Sequence, residues 1–240
     1  LPSSKTQKMQ VLGLFGLPNY LISSAELIEM KLGTPICIHG IKLQHTAENA
    51  KAIGVYSEYI DRIKYLIGIQ ERTALIANLA KSLRSKSQGS TLILYTLIEH
   101  GESIYCEITG LKEVPDLPTQ KELGIFFMTG KVKAKDREYM RNAMDENPEA
   151  ILIANYSLLS TGVNIKALRY GIFAAPLKSY TAIVQSLGRG IRTSAEKDVF
   201  EVYDIADHFA GIGTFDSSYR ARKKIYNNQK FAFDEKKIKM

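Results

Sequence analysis

Short apolar runs of strand length, separated by segments with helical periodicity, constrain the fold of this 240-residue chain more than any other feature. The runs occupy residues 91–95, 124–128, 151–154, 170–175 and 199–203. Runs that are apolar throughout, rather than alternating with polar residues, are typical of parallel strands, because helices cover both faces of a parallel sheet. The pattern therefore predicts an α/β fold with a mainly parallel β-sheet flanked by helices.

Helical periodicity is clear in the segments around these runs. Apolar side chains recur at helical spacing over residues 5–16, 47–68, 71–85 and 135–147. Two further β-like runs, at 20–22 and 36–38, fall in a stretch that we interpret as a connector between larger units. Residues 110–120 contain two prolines and predict a loop insertion.

The charge of the chain favours a polyanionic partner, since the formal net charge is +7 and the isoelectric point is about 9.2. The basic residues are concentrated at the C-terminus. Residues 217–240 hold eight lysines and arginines against two acids, a net +6 of the total +7. Two interpretations stay open for this segment: a solvated, partly frayed tail, or a phosphate-binding surface.

The cysteines and histidines show no ligand pattern. Cys37 and Cys106 lie far apart and outside any CxxC pair, so the sequence predicts neither a disulfide framework nor a zinc site. The four histidines are interpreted as structural or surface residues. A reducing cytoplasm is the simplest compartment. No apolar run approaches the ~20 residues that a membrane span needs, so we expect no membrane partner.

The segment 185–192, with the sequence QSLGRGIR, carries the strongest chemical signal. Gln185, Arg189 and Arg192 are spaced i, i+4, i+7, so a helix would place them on one face. Two glycines in the same stretch bring bare backbone close to two guanidiniums that stay charged, an arrangement suited to clamping a polyphosphate. The alternative is a surface helix whose arginines pair with acids.

Small polar residues follow the predicted strands. Thr96 follows the first, Thr129 and Gly130 follow the second, and the third is followed by Ser157, Ser160, Thr161, Gly162 and Asn164. Because ligands of open parallel sheets bind beyond the carboxyl ends of the strands, these hydroxyls and amides are candidates for holding phosphate oxygens. Each residue alone is more often a turn residue or a helix cap. Asp204 and Asp207, after the fifth run, could orient the arginines or cap the next turn.

The chain lacks the rest of a nucleotide-hydrolysing site. Its nearest approach to the GxxxxGK[ST] loop is Gly130-Lys131, which fails because Val132 replaces the hydroxyl residue. No carboxylate pair ends a predicted strand in the way that Mg²⁺ binding needs. The arginines therefore predict half of a site, and we expect no metal ligands in this chain.

The ordered motifs resemble those of the second RecA-like motor domain of superfamily 2 helicases. The matching blocks are residues 91–96 (TLILYT), 128–130 (MTG) followed by Arg137, 151–164 with STGVN at its end, and 185–192, which fits Q-x-x-G-R-x-x-R at all four fixed positions. Within that superfamily the chain is similar to the phage UvsW-type helicases. Residues 5–16 resemble the helix that follows motif III of the first motor domain.

The resemblance implies a division of the chain into three parts. Residues 1–45 would be a remnant of the first motor domain with its connector, 46–215 the second RecA-like domain without its own P-loop, and 216–240 a basic C-terminal helix or tail. The missing phosphate loop would then lie upstream of Leu1. If the protein is phage-encoded, the compartment would be the host cytoplasm.

The resemblance also implies roles for individual residues. Arg189 and Arg192 would be catalytic arginine fingers for the ATP γ-phosphate. Gln185, Gly162 and Asn164 would lie with them at the nucleotide. The nucleic-acid path would be lined by Thr96, Thr129, Gly130, Ser160 and Thr161, and we add the basic residues Arg220, Arg222, Lys223 and Lys224 to it.

The function implied by the family is that of an ATP-dependent DNA helicase acting on branched DNA in recombination, repair or replication. Its cofactors would be ATP and Mg²⁺, the metal ligands belonging to the first motor domain, and its partners DNA and that domain. Two alternatives stay open: a non-catalytic DNA-binding module on a RecA-like scaffold, and the motor of a restriction-type or chromatin-type translocase.

Overall fold

The computed structural model of the chain describes residues 4–16, 26, 28, 30, 33–157, 165–176 and 198–240. The strands are β1 (Ile36–Gln44), β2 (Ser90–Tyr95), β3 (Ile125–Met128), β4 (Ile151–Asn155), β5 (Leu168–Phe173), β6 (Phe200–His208) and β7 (Ala232–Lys239). The helices are α1 (Lys5–Phe15), α2 (Ala47–Gly54), α3 (Tyr59–Ile67), α4 (Gln70–Arg84), α5 (Ile98–Thr109), α6 (Leu117–Leu123), α7 (Ala134–Glu146) and α8 (Gly213–Asn228).

The strands form one sheet in the order β3-β4-β2-β5-β6-β1-β7, and every pairing is parallel. The five apolar runs of the sequence correspond to β2 through β6. The prediction of an α/β fold with a mainly parallel sheet is confirmed. Because all strands point the same way, their carboxyl ends meet at one edge, and loops from distant parts of the sequence come together there.

Helices cover both faces of the sheet, and successive strand residues alternate between the two resulting cores. On one face, Leu92 and Leu94 pack with Met140 and Met144 of α7 and with Tyr226 of α8. The other face packs against α4 and α5 through Ile76, Ala80, Leu83, Ile104 and Tyr105. Each fully buried large apolar side chain contributes about 1.5–3 kcal/mol to folding. Within the described residues, no helix is both long and apolar enough to cross a bilayer.

Two local predictions are corrected. The helix expected over 47–68 is two helices, because the chain breaks after Gly54, and Arg62 Nε donates to Tyr56 O (2.7 Å) across the break. The loop expected over 110–120 contains the start of α6. Asp116 Oδ1 accepts from Thr119 N (3.2 Å), and a proline occupies the first turn, a combination that favours a helix start.

Elements from both ends of the chain lie close to the predicted domain boundaries, which stay predictions. Strand β1 lies inside the sheet between β6 and β7. The predicted boundary at 215/216 falls within α8. The basic C-terminal segment is α8 followed by β7, which pairs with β1 over its length, so the frayed-tail interpretation is wrong. The run at 20–22 lies outside the described residues.

Candidate nucleotide and nucleic-acid site

The carboxyl ends of β2, β3 and β4 are tied together by side chains at the sheet edge. Asn155 Nδ2 donates to Thr96 O (2.6 Å), and Asn155 Oδ1 accepts from the backbone and hydroxyl of Ser157 (2.9 and 2.8 Å). Tyr95 donates its hydroxyl to Met128 O (3.1 Å), and burial raises the pKa of this phenol, which keeps the donor protonated. The structure therefore brings Thr96 and the loop after β3 to one edge, as the parallel topology predicts.

The loop after β3 is held by a single arginine. Arg137 donates from Nε to Val132 O and from Nη2 to Gly130 O, both at 2.8 Å. Thr129 Oγ1 accepts from Lys131 N (3.3 Å). Because Arg137 occupies the loop carbonyls, the exposed backbone of Gly130 projects from a fixed turn. The exposed cations in and after this loop are Lys131, Lys133 and Lys135.

Seven of the predicted site residues fall outside the described part of the chain. They are Ser160, Thr161, Gly162, Asn164, Gln185, Arg189 and Arg192. Their roles stay predictions. The described chain stops at Pro176, just beyond the carboxyl end of β5, and resumes at Asp198, just before β6.

A buried charged cluster lies at the carboxyl ends of β1, β5 and β6. Arg72, at the start of α4, donates to both carboxylate oxygens of Asp207, from Nε to Oδ1 (2.8 Å) and from Nη2 to Oδ2 (3.0 Å). Its Nη2 also donates to Ala174 O (2.6 Å), and its Nη1 lies 3.2 Å from His100 Nε2. His45 Nε2 lies 3.0 Å from Asp207 Oδ1. Arg72 thus fixes the end of β5 against that of β6.

The protonation states of this cluster follow from its burial. Burial would raise the pKa of Asp207, but the Arg72 guanidinium and the hydrogen bonds from His45 and Arg72 outweigh it and hold that pKa well below its usual range. Burial, reinforced by Arg72, lowers the pKa of His100 to about 3. His100 is therefore neutral near pH 7 and accepts through Nε2 from Arg72, while Asp207 stays ionised.

Sequence reasoning did not single out Arg72, although the pattern contained a signal. Arg72 precedes Ile76, Ala80 and Leu83 at spacings of four, eight and eleven residues, so it continues the apolar stripe of α4. A charged residue on a buried stripe requires a buried partner. The identity of that partner, Asp207, depends on the fold, because 135 residues separate the two.

The expectation that Arg222 contacts nucleic acid is corrected, because its side chain is only 1% exposed. Arg222 Nε donates to Asp204 Oδ2 (2.8 Å), and Nη2 donates to Ile205 O (3.3 Å). Tyr226 donates to the same Asp204 oxygen (2.9 Å). Arg222 therefore attaches α8 to β6. Tyr226 belongs to the same buried helix stripe, which favours packing over base stacking.

The other three basic residues that we predicted on α8 differ in how available they are to contact nucleic acid. Arg220 and Lys224 are exposed. Lys223 Nζ forms an ion pair with Glu235 Oε2 (3.0 Å), and Tyr219 donates to the same oxygen (2.9 Å). The free positive charge of this surface is therefore smaller than the sequence count suggests.

The described residues do not offer a magnesium site at the strand ends. Asp204 and Asp207, the two aspartates of β6, are both buried and bound to arginines. A carboxylate engaged in this way cannot become a metal ligand without leaving a buried guanidinium unpaired. They do orient arginines, as one sequence interpretation held, but the arginines are Arg222 and Arg72.

Comparison with known proteins agrees with this geometry. Residues 70–194, just over half of the chain, match the family described as the helicase conserved C-terminal domain. The ATP-dependent DNA helicase uvsW of Enterobacteria phage T4 is 27% identical over 213 residues, covering 88% of this chain and 40% of the relative. The crystal structure of T4 UvsW superposes with a TM-score of 0.67 and 21% identity, over 97% of this chain and 45% of that one.

A fragment of a putative HsdR subunit of a type I restriction enzyme from Vibrio vulnificus YJ016 gives a TM-score of 0.65 at 16% identity, over 99% of this chain and 43% of that one. The chain belongs to the helicase conserved C-terminal domain family and is a superfamily 2 helicase C-terminal domain close to UvsW. The resemblance stated from the motifs is confirmed. The chain spans less than half the length of these relatives.

Proposed function

We propose that this chain is the C-terminal motor half of an ATP-dependent DNA helicase or translocase that remodels branched DNA in recombination, repair or replication. The observation that carries the proposal is the family match over residues 70–194, which includes both the strand ends at the sheet edge and the motif at 185–192. The T4 relative is an ATP-dependent DNA helicase, which supports ATP as cofactor and DNA as partner.

In this proposal Arg189 and Arg192 donate hydrogen bonds to the γ-phosphate of ATP held between two motor domains, with Gln185, Gly162 and Asn164 beside the nucleotide. Guanidiniums that cannot lose their charge stabilise the negative charge that develops during phosphoryl transfer. Arginine fingers increase kcat for phosphoryl transfer by a factor of about 10³–10⁵. The first motor domain supplies the phosphate loop and the Mg²⁺ ligands, because the β6 carboxylates of this half are bound to arginines.

The nucleic-acid path in the proposal runs along the edge where β2, β3 and β4 end. Thr96, Thr129, Gly130, Ser160 and Thr161 contact the phosphate backbone through hydroxyl and amide groups. Such contacts position a strand without reading its sequence, as a motor that moves along DNA requires. Asn155 and Arg137 hold the described parts of this path in place. Arg220 and Lys224 add exposed positive charge on α8.

ATP hydrolysis by the isolated chain and by a two-domain protein tests the proposal. The 240-residue chain alone should hydrolyse no ATP above background, because it holds only the arginine side of the site. A protein that joins it to a first motor domain with an intact phosphate loop should show DNA-stimulated hydrolysis. Robust turnover by the isolated chain would overturn the half-site interpretation.

Two other functions are distinguished by their products. The fold likeness to the HsdR fragment favours a restriction-type translocase as the second candidate. A translocase displaces a triplex strand without separating the duplex, whereas a helicase separates a forked duplex. A non-catalytic DNA-binding module would bind DNA with a strong salt dependence but would show no DNA-stimulated ATP hydrolysis even in the two-domain protein.

A further inference from the structure

Three neighbouring parallel strands at one side of the sheet bring a thiol, an imidazole and two carboxylates onto one face. Cys37 and His39 are two residues apart on β1, so they project to the same side. Glu201 of β6 pairs with Cys37, and Asp234 of β7 pairs with His39. The four side chains come from three segments of the sequence that meet only in the folded sheet.

The donor atoms are close enough for one ion. One ligand atom from each of Cys37, His39 and Asp234 lies within 4.8 Å of the other two. His39 Nδ1 lies 2.7 Å from Asp234 Oδ2, and its Nε2 lies 3.7 Å from Glu201 Oε2. The His39 ring stacks on Tyr203 with a centroid separation of 5.0 Å, which restricts its orientation.

The charge around the cluster also favours a cation. Two carboxylates lie beside the thiol and the imidazole, since Glu201 pairs with Cys37 and Asp234 pairs with His39 across the strands. Glu201 is partly engaged, because it accepts from Arg169 Nη2 (3.4 Å) and from the Tyr203 hydroxyl (3.0 Å). Asp234 is 61% exposed and can reorient toward an ion at little cost in buried contacts.

We propose that Cys37, His39 and Asp234 form a binding site for a divalent transition-metal ion of the zinc class. Thiolate and imidazole donors select such ions over Mg²⁺ or Ca²⁺, which prefer oxygen ligands throughout. Three protein donors leave a fourth tetrahedral position for water. The ion joins β7 to β1 and so fixes the C-terminal strand to the sheet.

The sequence predicted no zinc site, because Cys37 and His39 do not show a ligand spacing. The third donor is 195 residues from His39 in sequence, so only the β1–β7 pairing reveals the set. The site lies within β1 and β7, whereas Thr96, Thr129 and Gly130 follow the carboxyl ends of β2 and β3. Its role would be structural, and its test does not depend on ATP, DNA or a second motor domain.

Cobalt titration of the 240-residue chain, followed by competition with zinc, tests the site. Co²⁺ bound through a thiolate gives a sulfur-to-metal charge-transfer absorption. We expect one equivalent of bound Co²⁺ with this band, and zinc should displace it. Cys37→Ser should abolish the band, and Asp234→Asn, a change at an exposed position, should weaken binding. Cys106→Ser is the matched control and should bind as the unaltered chain does.

Thermal unfolding with and without zinc supplies a second measurement. An ion that binds only the folded state raises the unfolding temperature. The chain and Cys106→Ser should be stabilised by zinc, whereas Cys37→Ser should not and Asp234→Asn should be stabilised less. Absence of the thiolate band, its persistence in Cys37→Ser, or its loss in Cys106→Ser would show that the cluster is only an ion pair around His39.

Discussion

Arg72 forms a two-pronged ion pair with Asp207 in which both side chains have no exposed surface. The pair joins the first turn of α4 to the last residues of β6, and a further hydrogen bond to Ala174 O extends it to the end of β5. In the sequence, the motif at 185–192 falls between β5 and β6. The buried pair therefore fixes the described strand ends on either side of that motif.

Replacement of Arg72 should destabilise the fold strongly. Arg72→Met leaves the Asp207 carboxylate buried with only His45 beside it, and such a change costs about 3–5 kcal/mol. The free energy of unfolding in urea measures the effect. The control is Arg141→Ala, which breaks the Arg141–Asp145 pair on the surface of α7 and should cost about 1 kcal/mol or less. Equal effects of the two substitutions would contradict the assignment.

Neutral His100 should make stability depend on pH. Its pKa is lowered to about 3 from 6.5, so below pH 6.5 the unfolded chain binds a proton that the folded chain does not. The contribution of neutral His100 to the free energy of unfolding is fully present above pH 6.5 and is lost as the pH falls toward 3. Asp207, with its lowered pKa, loses its contribution only below its usual value of 3.8.

The measurement is urea unfolding at several pH values between 6.5 and 3 for the chain and for His100→Gln. The variant should show a weaker decline of stability with acid over that range, because the titrating group is gone. His208→Gln is the control, since that ring is partly exposed and paired with Asp216. In this variant the free energy of unfolding should still fall with acid by the amount that His100 contributes. An unchanged pH profile in His100→Gln would refute the prediction.

Gly101 is required by close packing. A Cβ atom at this position would lie 2.6 Å from Tyr95 Cε1 and 2.7 Å from Phe127 Cε2. Gly101→Ala should therefore destabilise the chain by about 1–3 kcal/mol and displace the Tyr95 hydroxyl from Met128 O. Gly54→Ala is the control, because its Cβ would meet only Ile212 Cδ1 at 3.6 Å. Thermal unfolding should separate the two variants; similar stabilities would show that the core adapts.

The basic residues of α8 should divide into two groups. The double substitution Arg220→Ala and Lys224→Ala should weaken DNA binding and lower the slope of log affinity against log salt by about 2, if both contact phosphate. Arg222→Met should instead lower the free energy of unfolding, since it leaves Asp204 buried beside Tyr226. Lys112→Ala, in the exposed loop after α5, is the control for non-specific charge. A salt slope unchanged in the double variant would remove α8 from the DNA surface.

The sequence predicted β2 through β6 because each of these strands contains a short, mainly apolar run, as strands buried on both faces do. It did not predict β7, whose residues are mostly exposed and include Lys236, Lys237 and Lys239. Lysines on an edge strand discourage pairing with other chains. Because these lysines interrupt any apolar run, the hydrophobic pattern did not predict this strand. The basic composition that suggested a tail is thus a property of a sheet edge.

The strand ends were predictable because parallel strands place their loops at one edge, and Thr96 and Thr129 are found there. The ion pairs Arg72–Asp207 and Arg222–Asp204 were not predictable, because the sequence does not show whether a charged residue is buried or which residue it pairs with. The same limit applies to Cys37, His39 and Asp234. Contacts between distant segments depend on strand order, which hydrophobic periodicity does not define.

ATP hydrolysis by a two-domain protein in which Arg192 is replaced by alanine tests whether this chain completes the nucleotide site. We expect a loss of about 10³–10⁵ in kcat with DNA affinity little changed, because the arginine would contact the γ-phosphate. Arg141→Ala, which breaks an i, i+4 ion pair on α7, is the control and should hydrolyse ATP normally. Near-normal hydrolysis in Arg192→Ala, or a loss confined to DNA affinity, would show that Arg192 is not an arginine finger.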